Sequence, residues 1–233
     1  MSAGPIAPEP PLREGGGGLG FRERPAAGAP SGLLVLHHGR GTDERELLTL
    51  GEVLDPRHRL HVAAPRAPHP DEGAEGRRWY LVPRPGLPDP GSFAAAYGAL
   101  ASFHDELWRE TGIGPERTLL AGFSMGASMG YALGLAADRP RPAGLMAFSG
   151  FLPRVEGWQA QLSSRRGLGV FAANGRQDRL LPIALARETV EQLRAGGLLV
   201  EYRESEAGHR IDPRELPAAS EWLERSPLGQ ATT

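Results

Sequence analysis

The chain has 233 residues, 40% of them hydrophobic, and a formal charge of −2, which is enough for one domain with a sizeable core. That balance lacks the basic excess that nucleic acid or an anionic membrane surface demands, so neither is an expected partner. There is no Cys and no Lys, which excludes disulfides, a thiol nucleophile, a Schiff-base lysine and a Walker A loop.

Residues 1–18 are dominated by Pro, Gly, Ala and Glu and end in the run Gly15 to Gly18. Such a segment buries little apolar area, and the expectation is a flexible leader ahead of a domain over 19–225. It lacks the apolar stretch of a signal peptide, and no window is long and apolar enough to span a bilayer, so the expected location is the cytoplasm. Leu19 to Arg24 fits an edge strand. Leu33-Leu34-Val35-Leu36 is an apolar run of the length of a strand buried on both faces, and it leads into His37-His38-Gly39-Arg40-Gly41.

Further apolar runs near 60–64, 118–123, 143–148, 168–173 and 198–202 alternate with helical stretches near 43–54, 93–110, 125–137, 183–195 and 215–224. That alternation predicts an α/β fold, a mostly parallel sheet with helices on both faces. Between them, residues 65–91 are proline-rich and predict a long loop. Within it, Trp79 and Tyr80 are candidates to line a substrate pocket or to pack, and Phe123 is a further pocket candidate. The tail from Ser226 to Thr233 is expected to fray.

Gly122-Phe123-Ser124-Met125-Gly126 follows the apolar run Thr118 to Ala121 directly. A strand turning sharply into a helix at this spacing exposes the serine hydroxyl as a nucleophile, which makes Ser124 the first candidate. Gly126-Ala127-Ser128-Met129-Gly130 repeats the pattern, but Ser128 falls one turn inside the helix, where its hydroxyl is expected to bond back to a carbonyl. In this architecture the acid and the histidine follow the serine. Of seven histidines only His209 lies downstream. Asp178, after the strand pattern Gly169 to Ala173 and the turn Asn174-Gly175, is the acid in the expected place. Asp138 reads as helix-end punctuation, and Asp212 comes after the histidine.

The amides of Arg40, between two glycines, and of Met125, at a helix N-terminus, are candidate oxyanion donors. Metal binding by His37 and His38 or by His58 and His61 is disfavoured by the spacing, and no cofactor is expected.

His38-Gly39-Arg40-Gly41-Thr42-Asp43-Glu44, Ala64-Pro65-Arg66-Ala67-Pro68, Arg78-Trp79-Tyr80, Gly122 to Gly126, Phe148-Ser149-Gly150 and the Asp178 and His209 segments occur in order. Together they resemble the phospholipase/carboxylesterase family of α/β-hydrolases, small esterases that include acyl-protein thioesterases. The resemblance runs from about Leu33 to Leu223 and implies a cofactor-free esterase with Ser124, Asp178 and His209 as triad and the Arg40 and Met125 amides as oxyanion hole. Members of that family commonly carry Gln in place of Met125 and a small or apolar residue in place of Arg40. The expected substrate is a small-molecule carboxylic ester or thioester. A peptidase or acyltransferase on the same triad, or a binding protein that keeps the fold without turnover, are the alternatives.

Overall fold

A computed structural model describes residues 9–72, 75–83 and 87–229. Its centre is the run that begins at Gly32. All six residues of β3 (Gly32–His37) are buried, with Leu33 and Val35 in the core on one face of the sheet and Leu34 and Leu36 in the core on the other. Burial on both faces removes the polar alternation of a half-exposed strand, which is why Leu33 to Leu36 is uniformly apolar.

β3 pairs in parallel with β4 (Leu60–Pro65) on one side and β7 (Thr118–Phe123) on the other. The parallel set continues through β8 (Gly144–Phe148), β9 (Gly169–Gly175) and β10 (Leu199–Ser205). Two antiparallel strands, β1 (Arg13–Gly15) and β2 (Leu19–Arg24), complete an eight-stranded sheet of order β1-β2-β4-β3-β7-β8-β9-β10. β5 (His69–Pro70) and β6 (Arg77–Arg78) form a separate small hairpin.

The helices are α1 (Glu44–Leu54), α2 (Pro90–Thr111), α3 (Met125–Gly134), α4 (Ile183–Ala195) and α5 (Leu216–Arg225). Asp43 caps α1 by accepting from the Arg45 amide, and Asp89 caps α2 by accepting from the Ser92 amide, with Pro90 at its first turn. Side chains of α2, α3 and α4 enter the core on the Leu33 face, and those of α1 and α5 the core on the Leu34 face. Glu44, fully buried at the start of α1, accepts from Arg22 at 3.0 Å and from Arg66 at 2.7 and 2.8 Å. Burial opposes its charge, yet the hydrogen bonds from Arg66 and Arg22 hold its carboxyl below its usual value. This buried pairing ties α1 to β2 and to the segment after β4.

Three expectations are corrected. Within the stretch expected to be a flexible leader, Arg13–Gly15 forms β1 and Gly16–Gly18 forms a 3-10 turn against α2; residues 1–8 lie outside those described. β2 is an inner strand, since β1 takes the edge. The tail does not fray at Ser226: Leu228 is buried against Gly32, and its amide bonds to the Ser226 hydroxyl, while residues 230–233 lie outside the description. The loop over 65–91 carries the β5–β6 hairpin.

Candidate active site

β3, β7, β8 and β9 run in parallel and in register, so their carboxyl ends converge on one edge of the sheet. In open α/β sheets that edge is where ligands bind. β7 ends at Phe123 and α3 begins at Met125, leaving Ser124 alone to make the turn, with φ 53° and ψ −119°. A non-glycine residue held there stores strain of about 1–3 kcal/mol. The turn is kept by the Ser124 amide donating to the Phe148 carbonyl at 2.8 Å. It also needs close approach: a Cβ at Gly126 would lie 2.1 Å from the His37 carbonyl oxygen, and one at Gly122 would lie 2.7 Å from the Ala127 nitrogen.

From this turn a chain of hydrogen bonds runs inward. Ser124 Oγ is 2.9 Å from His209 Nε2, and His209 Nδ1 is 2.6 Å from Asp178 Oδ2. Because a carboxylate only accepts, Nδ1 carries the proton and Nε2 is left to accept from the serine hydroxyl. Asp178 Oδ1 accepts from the amides of Leu180 and Leu181, each at 2.8 Å, which fixes the carboxylate plane. Phe123 lies against His209 in a tilted contact, 5.0 Å between ring centroids, and packs on Gly39; it supports the imidazole and does not line the cleft.

The rival groups are engaged elsewhere. Ser128 is fully buried and donates to the Phe151 carbonyl at 3.0 Å, a loop carbonyl instead of the helical one expected. Asp138 accepts from the Tyr97 hydroxyl, and Asp212 accepts from Arg214.

The loop after β3 is braced from both sides. His38 Nδ1 lies 2.7 Å from the Gly39 carbonyl oxygen, and its Nε2 accepts from the Ala67 amide at 3.0 Å, so the ring is neutral with its proton on Nδ1. Burial pushes its pKa down to about 4, partly offset by the bond to Gly39. Trp79 Nε1 donates to the His38 carbonyl at 2.9 Å, Gly41 N to the Arg77 carbonyl and Arg77 N to the Thr42 carbonyl, each at 2.9 Å. Trp79 is therefore fully buried bracing, not pocket lining. The amides of Arg40 and Met125 donate to no protein acceptor among the described residues.

A cleft of about 460 Å³ opens beside this arrangement. Ser124, His209, Arg40 and Asp71 form its polar part, and Tyr80, Val82, Met125, Phe151, Leu180 and Leu181 its apolar walls. A groove of about 640 Å³ at the opposite end of the sheet, around Trp222 and Leu199, is lined by no histidine among the described residues; its Ser226 hydroxyl donates to the Leu223 carbonyl and its Glu201 carboxylate accepts from Arg225. The smaller cleft is the one with chemistry. No group of three or more His, Asp or Glu among the described residues is arranged to hold a metal; His37 instead pairs with His104, their Nε2 atoms 3.2 Å apart, and His58 and His61 bond to Glu52 and Glu23.

Residues 24–226 match the model of the phospholipase/carboxylesterase family. The chain belongs to that family. A carboxylesterase from Mesorhizobium loti superposes with a TM-score of 0.81 at 23% identity, covering 93% of this chain and 99% of the other. The esterase PE8 gives a TM-score of 0.74 at 28% identity, over 89% and 98% of the two chains. Over 199 residues the chain is 26% identical to MhqD of Bacillus subtilis (strain 168), provisionally assigned as a hydrolase, covering 85% of this chain and 96% of MhqD. This phospholipase/carboxylesterase member is thus an α/β-hydrolase enzyme of the carboxylesterase type. Among its described residues no helix is long and apolar enough to cross a membrane.

Asp71, Val82, Phe151, Leu180 and Leu181 were not singled out by sequence. Asp71 meets Arg40 across 31 positions inside a proline-rich loop, and no local spacing announces that contact.

Proposed function

We propose that Ser124 attacks the carbonyl carbon of a small-molecule carboxylic ester or thioester, with His209 as general base and Asp178 as its orienting acid. As the Ser124 oxygen bonds to that carbon, its proton passes to His209 Nε2 and the carbonyl electrons move onto oxygen. The Arg40 and Met125 amides donate to that oxyanion. Collapse of the intermediate expels the alcohol or thiol, which takes the proton from His209, and leaves an acyl group on Ser124. Water, deprotonated by His209, repeats the addition and releases the acid.

The observation that carries this reading is the unbroken relay of 2.9 Å and 2.6 Å from Ser124 through His209 to Asp178. The amides of Arg40 and Met125 beside it, which have no protein acceptor among the described residues, are free to donate to an oxyanion, as the first amide of a helix, here that of Met125, characteristically is. The test is hydrolysis of 4-nitrophenyl acetate. Ser124→Ala and His209→Ala should each lower kcat by at least about 10³-fold, and retention of wild-type kcat in either folded variant would overturn the assignment.

A further inference from the structure

Resting on that reading, we infer that the Arg40 guanidinium is an anion-binding subsite, so that the cleft selects esters carrying a negatively charged oxygen group, such as a carboxylate, next to an apolar chain. Arg40 lines the same cleft as Ser124 and His209, and its side chain is 48% exposed. Its Nε donates to both oxygens of Asp71 at 3.0 Å. That leaves the two terminal amino groups without an acceptor among the described residues, on a side chain whose direction is already fixed. A planar guanidinium presented in this way suits paired hydrogen bonds to a carboxylate.

The charge balance agrees. Among the described residues Asp71 is the one acidic side chain lining the cleft, and it is buried; Arg78 Nη1 lies 3.5 Å from the same carboxylate, so a single negative charge is shared by two arginines. The other end of Arg78 reaches Glu72 at 3.5 Å, but that carboxylate is 90% exposed and solvent weakens its contribution. The remaining walls, Tyr80, Val82, Phe151 and Leu181 among them, lower the local dielectric and strengthen an ion pair formed beside them.

A purely structural role for the Arg40 side chain is redundant. The bonds from Gly41 to Arg77, from Trp79 to His38 and from Ala67 to His38 already hold the loop. Because the Arg40 amide faces the reacting carbonyl in the proposed mechanism, its side chain recognises a group a few bonds away from that carbonyl, on the acyl or the alcohol side.

Two matched pairs of esters separate those sources. 4-Nitrophenyl hydrogen adipate against 4-nitrophenyl hexanoate places the charge on the acyl side, and 4-acetoxybenzoate against 4-acetoxybenzamide places it on the alcohol side. The readout is the ratio of kcat/KM for the charged member to that for the neutral member. Both members pass through the same oxyanion, so any disturbance of the loop amide cancels. The ratio should favour the charged ester in at least one pair and fall by about 10- to 100-fold in Arg40→Ala and Arg40→Gln. A ratio unchanged within about twofold in both folded variants, while neutral esters are still cleaved in a Ser124-dependent way, overturns this inference alone. If none of the four esters shows Ser124-dependent turnover, the inference and the underlying reading both fail.

Discussion

At the residue scale, Arg40 contributes to the proposed mechanism through its backbone, and this separates two substitutions that would otherwise look alike. Arg40→Pro deletes the N–H aimed at the oxyanion, and its kcat on a neutral ester should fall about 10²–10³-fold below that of Arg40→Ala. Equal kcat in the two folded variants would move the oxyanion donor elsewhere. Ser128→Ala should retain most of the activity and cost about 1 kcal/mol of stability, the worth of the bond to the Phe151 carbonyl; loss of turnover there would reinstate Ser128 as a nucleophile. That Ser124, His209 and Asp178 come together was legible in the sequence because each occupies a place that the architecture defines: a glycine-flanked turn, the sole downstream histidine, the end of a parallel strand. Asp71 was not. Its role comes from a contact between two loops, and neither loop carries a period that records the other.

At the scale of elements, the strands legible from the sequence are those buried on both faces. Leu33 to Leu36 and Thr118 to Ala121 read as uninterrupted apolar runs because the helices cover them above and below. Arg13–Gly15 gave no such signal. It is three polar or small residues at an edge, and its position follows from tertiary packing: a Cβ at Gly17 would lie 2.3 Å from the Ala99 carbonyl oxygen of α2. The tail was misread for a related reason, since Leu228 is a lone apolar residue whose burial depends on Gly32 beneath it. The turn between β7 and α3 makes a sharper demand. Gly126→Ala sets a Cβ against the His37 carbonyl, forcing α3 away from β3. Overpacking of this kind should cost at least about 1–3 kcal/mol and lower kcat together with stability. A Gly126→Ala protein with unchanged Tm and kcat would contradict the close approach that the elbow requires.

At the scale of the whole molecule, three histidines are enclosed where burial outweighs every charge acting on them, and they make stability pH-dependent. Burial pushes His37 down to about 3, His38 to about 4 and His104 well below the ordinary 6.5. The unfolded chain therefore takes up protons below about pH 6.5 that His38 of the folded chain refuses until about pH 4 and His37 until about pH 3, while His104 is likewise shifted well down. Stability is fully present above pH 6.5 and falls as the pH drops through that window, by up to about 1.4 kcal/mol per pH unit for each histidine. Tm measured by circular dichroism should decline between pH 7 and pH 5, and His104→Gln, which keeps a hydrogen-bonding partner for His37 without titrating, should flatten the decline. A Tm constant over that range would contradict the account.

The central claim is that this phospholipase/carboxylesterase member works through Ser124. The most direct measurement is intact-protein and peptide-map mass spectrometry after treatment with a fluorophosphonate, which phosphonylates only a serine activated by a base. The account predicts one adduct, on the peptide carrying Ser124, absent in Ser124→Ala and slowed in His209→Ala. An adduct on Ser128, or labelling that persists in Ser124→Ala, would contradict it.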